Sequence, residues 1–343
     1  MPENCRTLQS LKLWGMVAAC SFLFSALLVC TSEESPLPGK TGIMLRGTSE
    51  QSPQTRITKQ SAKSQASQKI RETSGVITSD YTFVNFNNDQ LALTFSIHAK
   101  ELATYKLEYG YTADERAAID RWQQNAMEDA YKNAVKNHQS QEQLNLAGER
   151  IAAEYKAKVL AFYRLRGFTL LSGNVLVADI PEIVRRNVRK AKPLALSLSS
   201  SAERLGYDSD SIISAALSFI QTAVLYENVP MEIRGRQTGG VYPPLETAAI
   251  GKGDCDTKSA LLATILLNWN RIRMIGVNVP GHYLVGIMRN PAKGDVFVEY
   301  KGIKYVLMEA AGPGWLPPGS VDKKTLSQLG VTESVKIDPF TLN

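Results

Sequence analysis

The chain has 343 residues, of which 44% are hydrophobic and 21% are charged, a balance typical of a globular protein with one large or two modest domains. The formal net charge of +6 and the pI near 9.0 are mildly basic. This small charge argues against a nucleic-acid-binding protein, since no RNA- or DNA-binding motif accompanies it. It is compatible with a weak attraction to anionic cell-surface polymers or lipid headgroups.

Residues 1–30 have the pattern of a signal peptide or an N-terminal membrane anchor. Residues 11–30 are almost uncharged and mostly apolar, with Arg6 and Lys12 near their start and the polar sequence Thr-Ser-Glu-Glu after them. A positive flank, an apolar stretch and a polar exit are typical of both kinds of segment. The sequence Val-Ala-Ala-Cys20 also resembles a bacterial lipoprotein box, although the apolar run continues beyond it. We therefore expect a bacterial cell-envelope protein, exported to the periplasm or anchored to the membrane, with lipidation as a variant.

Residues 31–78 are predicted to be a disordered tether. They are rich in Ser, Gln, Thr, Lys, Gly and Pro, with single apolar residues scattered among them. Such a composition does not bury enough apolar surface to order the chain. As a random coil of nearly fifty residues, the tether would span on the order of 40 Å and would hold the folded part away from a membrane surface.

Residues 79–200 are predicted to form an α/β region. Between residues 81 and 97, apolar residues alternate with polar ones on both sides of an Asn-Asn-Asp turn, which predicts a β-hairpin. Thr112 and Glu115 have the spacing of a capping box. Apolar residues then recur at helical spacing for about fifty residues, which predicts either one long helix or two helices broken near His138.

The region 201–343 contains Cys255, which is the only cysteine after residue 30. The sequence Gly-Lys-Gly-Asp precedes Cys255, and Asp254 is suited to cap the N-terminus of the apolar helix that follows. Cys255 is therefore expected in the first turn of that helix. Free backbone N–H groups and the positive end of the helix dipole favour a thiolate there.

Two further residues complete a candidate catalytic triad. His282 begins a predicted strand after Pro-Gly, and Glu309 ends the last strand of a predicted hairpin. An antiparallel sheet would bring these two strands side by side, facing the start of the cysteine helix. In that arrangement His282 accepts the proton of the thiol, and Glu309 orients the imidazole and stabilises the imidazolium.

These motifs in combination resemble the transglutaminase-like superfamily, closest to its bacterial, papain-like cysteine proteinase branch. The resemblance is carried by Pro244-Leu-Glu-Thr, Gly-Asp-Cys255-Asp-x-Lys-Ser-x-Leu-Leu-Ala, Gly-His282 and Tyr-x-x-x-Glu309-Ala, and it covers residues 211–315. It implies an α+β fold for the whole chain, with a papain/transglutaminase-like core in which the cysteine helix packs on an antiparallel sheet. It also implies catalytic roles for Cys255, His282 and Glu309. The acid in this superfamily is commonly aspartate, so the glutamate is a departure.

The resemblance also suggests a residue that binds the oxyanion of the reaction. Phe-Ile-Gln221, on the predicted helix before the cysteine motif, is similar to the Phe-Val-Gln of bacterial relatives. The amide of Gln221 could donate to a developing oxyanion. The alternative is a glutamine on the helix surface with no catalytic role.

The predicted function is that of an exported or membrane-anchored thiol enzyme. Through a Cys255 thioester it would cleave a protein or peptide amide with water, as a peptidase or amidase does, or transfer the acyl group to an amine. No cofactor and no metal are expected.

The first alternative to this function is a catalytically inactive binding module on the same fold. A second alternative is a zinc site formed by the three triad residues. The sequence has no paired ligands such as Cys-x-x-Cys, which argues against it. A third is that a core cysteine, a surface histidine and a hairpin-end glutamate share this spacing by chance.

Overall fold

The computed structural model describes residues 65–312, 314–330 and 335–340. The predicted segment 1–30 and residues 31–64 of the predicted tether lie outside this part of the chain. Within it, helices combine with antiparallel sheets, so the predicted α+β class is confirmed. None of the described helices is long and apolar enough to span a bilayer.

The first described element is a three-stranded antiparallel sheet of consecutive strands: β1 (Ser67–Thr73), β2 (Val76–Val84) and β3 (Gln90–His98). The predicted hairpin corresponds to β2 and β3, and every second side chain of β3 is buried. The end of the predicted disordered tether, residues 31–78, differs from the structure, because it contains β1 and the start of β2. The polar residues of β1 are mostly exposed, and the strand is ordered by its pairing with β2, which satisfies backbone groups independently of apolar burial.

Two long antiparallel helices follow. Of the two predicted arrangements, one long helix or two helices broken near His138, the structure shows the second. Thr112 and Glu115 form the predicted capping box, and Ser140 and Gln143 form a second one at the start of the next helix. His138 lies between the helices with φ of 46°, a left-handed conformation that interrupts helical hydrogen bonding. The elements are α1 (Ala99–Leu107), β4 (Tyr111–Thr112), α2 (Ala113–Lys136) and α3 (Gln141–Leu165).

The predicted boundary between residues 79–200 and 201–343 falls inside a helix. The elements here are β5 (Phe168–Leu170), β6 (Leu176–Ala178), α4 (Ile180–Asn187) and α5 (Lys192–Glu203), and α5 crosses the boundary. One hydrophobic cluster contains Tyr81 and Phe83 of the first range together with Phe219 and Leu261 of the second. The two predicted domains therefore share a core.

Helix α6 ends at Thr222, and the chain then turns to pair with a later segment. Leu225 and Tyr226 form a short parallel pair with the two residues that precede Asp254. The elements of this region are α6 (Ser209–Thr222), β7 (Leu225–Tyr226), β8 (Glu232–Ile233), β9 (Arg236–Gln237), α7 (Pro244–Ile250) and β10 (Lys252–Gly253).

The C-terminal part is the cysteine helix and a five-stranded antiparallel sheet in the order β13-β14-β12-β11-β15. The helix packs against β12 and is surrounded on its other sides by α4, α6 and α7. The opposite face of the sheet has its own apolar cluster, which includes Leu284 and Leu307. The elements are α8 (Cys255–Leu266), β11 (Met274–Val279), β12 (His282–Met288), β13 (Phe297–Tyr300), β14 (Ile303–Met308), α9 (Lys323–Leu329) and β15 (Lys336–Pro339).

A close approach across β11 fixes the start of β12. The phenol of Tyr283 lies over Gly276 and donates to Asp338 Oδ2 on β15 at 2.9 Å. A methyl group on Gly276 would overlap the Tyr283 hydroxyl.

We expect Gly276→Ala to lower the free energy of unfolding by about 1–3 kcal/mol, because the Tyr283 side chain or strand β11 must move. Urea denaturation measures the loss. The control Gly330→Ala, at φ of −66°, should cost less, and equal losses for the two variants would contradict this packing argument.

Candidate active site

Cys255 is the first residue of α8, as predicted. Asp254 is the N-cap, and its Oδ1 accepts the backbone N–H of Thr257 at 3.2 Å. Gly253 has no room for a side chain, because a Cβ there would overlap that of Thr257. The helix is buried from Thr257 onwards, whereas Cys255 and Asp256 are partly exposed. The capping of α8 therefore presents the thiol at the accessible end of a rigid element.

Lys258 lies one turn further along α8, and it is 0% exposed. Its ammonium group donates to the carbonyl oxygens of Val224 at 2.9 Å and of Ala311 at 2.7 Å. The first carbonyl follows α6, and the second lies two residues after Glu309. Lys258 thus joins the cysteine helix to the segment that carries the candidate acid.

His282 begins β12, Glu309 directly follows the adjacent strand β14, and the structure brings the two side chains into contact. The distance between His282 Nε2 and Glu309 Oε1 is 2.5 Å, and Glu309 is only 3% exposed. The other carboxylate oxygen, Oε2, accepts the hydroxyl of Thr325 at 3.1 Å. With Nε2 bonded to the acid, Nδ1 is the ring nitrogen available to accept another proton.

The pKa of His282 is raised above its ordinary value. Burial alone would lower this pKa, but the hydrogen bond and the charge of Glu309 outweigh burial, and Asp322 and Asp256 contribute further negative charge. The imidazolium form is therefore favoured at a higher pH than for a free histidine. This is the effect that a general base needs in order to hold a proton taken from a thiol.

The thiol itself is held by a neighbour in the sequence. Cys255 Sγ donates to Asp256 Oδ1 at 3.2 Å, and among the described residues it makes no hydrogen bond to His282. Burial, followed by the charge and the hydrogen bond of Asp256, raises the pKa of Cys255 to about 12, against the opposing effect of the Tyr283 backbone N–H. The thiolate expected from the helix dipole is therefore not the resting form, because burial and the adjacent carboxylate have the larger effect.

Gln221 does not have the predicted role of an oxyanion donor. Its Nε2 donates to the carbonyl oxygens of Glu309 at 2.7 Å and of Leu316 at 2.9 Å, and its Oε1 accepts the Leu316 N–H at 2.9 Å. Both amide hydrogens are thus bonded to the backbone, and the side chain is buried. The alternative of a surface glutamine is also wrong. Gln221 instead positions the segment that contains Glu309.

Sequence reasoning missed several residues that shape this site. Asp256 and Lys258 lie within the cysteine motif, so an acidic residue next to the thiol and a lysine on the buried face of α8 were visible signals. Thr325 had no such signal, because its contact with Glu309 depends on how α9 packs.

The described residues contain no group of three or more His, Cys, Asp or Glu side chains placed to hold a metal ion. Comparisons with protein-family models, with curated proteins and with solved structures found no match for this chain. The chemistry of the site is therefore argued from its own geometry.

Replacement of Gln221 tests its structural role. Gln221→Leu leaves two carbonyl groups and one N–H without partners, so we expect the free energy of unfolding to fall by about 2–4 kcal/mol. The matched control Gln237→Leu removes a half-exposed amide that donates to Glu232, and should change stability by less than about 0.5 kcal/mol. Urea denaturation measures both. A Gln221→Leu protein as stable as the wild type would contradict this structural role.

Replacement of Asp256 tests the control of the thiol. Asp256→Asn removes a negative charge beside Cys255, so the pKa of the thiol should fall and the pH profile of its alkylation by iodoacetamide should shift to lower pH. For each pKa unit lost, the rate at neutral pH should rise about threefold, because a tenfold gain in thiolate is partly offset by lower nucleophilicity. Asp210→Asn, at the exposed start of α6, is the control and should change nothing. An unchanged or slower rate for Asp256→Asn would contradict the assignment.

Proposed function

We propose that this protein is a thiol enzyme of transglutaminase-like type, which cleaves or transfers an amide acyl group through a thioester on Cys255. The observation that carries the proposal is the His282–Glu309 pair, in which a buried carboxylate holds Nε2 and leaves Nδ1 as the base. His282 begins β12, the strand against which the cysteine helix packs. The helix that carries the thiol packs on the antiparallel sheet that carries the proposed base, and this arrangement supports a papain-like core.

The reaction would begin with transfer of the thiol proton to Nδ1 of His282. For this step Cys255 Sγ must release Asp256, to which it donates in the resting structure. The thiolate attacks the carbonyl carbon of the substrate, and the amine leaves with the proton that His282 holds. Water or a second amine then attacks the thioester and releases Cys255.

The charge around His282 supports this sequence of proton transfers. Glu309 and Asp322 raise the pKa of the imidazole, so His282 keeps the proton for long enough to deliver it to the leaving amine. Thr325 holds the second oxygen of Glu309 and prevents the carboxylate from turning away.

We further propose that the enzyme works in the cell envelope on proteins or peptides. This part of the proposal rests on the sequence pattern of residues 1–30, a signal peptide or membrane anchor. A chain exported in this way meets envelope proteins as its natural amide substrates.

The second candidate is a catalytically inactive binding module, and the state of the thiol favours it. A thiol with a pKa of about 12 that donates to a carboxylate carries little thiolate at neutral pH. Such a cysteine would be inert unless His282 accepts its proton during the reaction.

Acylation by p-nitrophenyl acetate separates the two candidates without knowledge of the natural substrate. The wild type should release a burst of p-nitrophenolate close to one equivalent, with an acetyl group on Cys255 detected by mass spectrometry. Cys255→Ala should abolish the burst, and His282→Ala should slow it by about 100-fold or more, since a general base contributes at least this factor. His138→Ala, a loop histidine exposed to solvent, is the matched control and should react like the wild type.

An equal burst rate for His282→Ala and the wild type would contradict the proposal. So would the absence of any acetyl group on Cys255 of the folded wild-type protein, and either result would favour the binding module.

A further inference from the structure

We propose that the hydroxyl of Tyr226, together with the backbone N–H of Cys255, binds the oxyanion that forms when Cys255 attacks a carbonyl group. This inference rests on the proposed function. The reaction needs hydrogen-bond donors at the position where negative charge develops. Gln221 does not supply one, because both of its amide hydrogens are bonded to backbone carbonyl groups.

Strand pairing holds Tyr226 beside the cysteine. β7 and β10 are parallel, and Tyr226 is paired with Gly253, two residues before Cys255. Paired strands lie about 4.8 Å apart, so the backbone of Tyr226 is one strand spacing from that of Gly253. The space that a Cβ on Gly253 would occupy is filled by the side chain of Thr257, which holds this part of β10 against α8.

Three hydrogen bonds make this placement rigid. Leu225 N–H donates to the carbonyl oxygen of Gly251 at 2.8 Å, and Glu227 N–H donates to that of Gly253 at 3.1 Å. Further along, Val229 N–H donates to Oδ2 of the N-cap residue Asp254 at 3.4 Å. The segment that carries Tyr226 is therefore fastened to the same residues that position the thiol.

The Tyr226 hydroxyl is an uncommitted donor. Its side chain is 49% exposed, and the hydroxyl makes no hydrogen bond to any described residue. In contrast, the hydroxyl groups of Tyr81 and Tyr283, which are buried, donate to Ala248 O and to Asp338. A half-exposed phenol with a free hydroxyl beside a nucleophile is available to a substrate.

Electrostatics keep that donor protonated. Burial, followed by the negative charges of Cys255, Asp254 and Asp256, raises the pKa of Tyr226. A negative charge that forms next to Sγ would act on the same hydroxyl, and a hydrogen bond from Tyr226 would stabilise that charge.

The second donor is supplied by the helix itself. Cys255 occupies the first position of α8, where a backbone N–H has no acceptor within the helix. The N-cap carboxylate of Asp254 bonds to Thr257 N–H, two residues later. The Cys255 N–H therefore has no acceptor within the helix and is available to an oxyanion at the positive end of the helix dipole.

The electron and proton movements balance without any additional reactant. His282 takes the proton of Cys255, the thiolate forms a bond to the carbonyl carbon, and the carbonyl π electrons move to oxygen. Tyr226 O–H and Cys255 N–H donate to that oxyanion without transferring their protons. When the C=O bond reforms, the leaving group departs with its bonding electrons, and the two donors are unchanged.

Tyr226→Phe tests the inference, because it removes one hydroxyl and keeps the ring. Two reactions of Cys255 are compared: acylation by p-nitrophenyl acetate, which forms an oxyanion, and alkylation by iodoacetamide, which forms none. Loss of one oxyanion donor should slow acylation by about 100-fold and leave alkylation within about twofold of the wild-type rate. Tyr242→Phe is the matched control, since burial and then the charges of Lys252 and Glu246, and not that of Cys255, act on its phenol. Both rates of this control should equal those of the wild type.

Three results would overturn the inference. Equal acylation rates for Tyr226→Phe and the wild type would show that the hydroxyl plays no part. A parallel loss of acylation and alkylation would show that Tyr226 affects access to the thiol or its ionisation. A wild-type protein whose Cys255 is alkylated but never acylated would reject the proposed function as well, and the other two results would leave that function intact.

Discussion

Buried hydrogen bonds to the segment after β14 are the constraint on which the candidate site depends. Gln221 bonds to the backbone of Glu309 and Leu316, and Lys258 bonds to the carbonyl oxygen of Ala311. These side chains come from the helix before the cysteine and from the cysteine helix itself. Because a buried amide or ammonium group must be bonded, this segment is held in one position. The carboxylate of Glu309, and through it the imidazole of His282, is placed as a consequence.

Two carboxylates act on the two ends of the same proton transfer. Glu309 raises the pKa of His282, the proposed base, whereas burial and then Asp256 raise the pKa of Cys255, the proposed nucleophile. The first effect helps the base to take a proton, and the second makes the thiol reluctant to release it. The resting site is therefore a neutral thiol beside a stabilised base. Under the proposed mechanism the thiolate forms only during the attack, which protects a partly exposed cysteine from oxidation.

Much of the fold and part of the site could be predicted from local patterns. The N-cap Asp254, the first-turn position of Cys255 and the strand that begins at His282 all follow from signals within a few residues. The expected antiparallel sheet allowed His282 and Glu309 to meet, but their adjacency depends on the strand order, because β14 lies between β12 and β13 although β13 follows β12 in the chain. Gln221 shows where this reasoning ends. Its helix was predicted, yet its amide bonds to residues 88 and 95 positions away, and helical periodicity carries no information about such partners.

The sequence by itself determined the capped cysteine helix, the strands with the histidine and the glutamate, and the chemical types of the candidate triad. Each of these depends on backbone hydrogen bonding and side-chain spacing over one or two turns. Only the tertiary structure decided which groups are desolvated and which long-range partners they meet. In the packed chain β1 pairs with β2, and Tyr226 pairs with Gly253. Gln221 and Lys258 donate hydrogen bonds to backbone carbonyl groups at and after Glu309. The physical reason is that desolvation and hydrogen-bond partnership between distant segments depend on the packed arrangement of the whole chain.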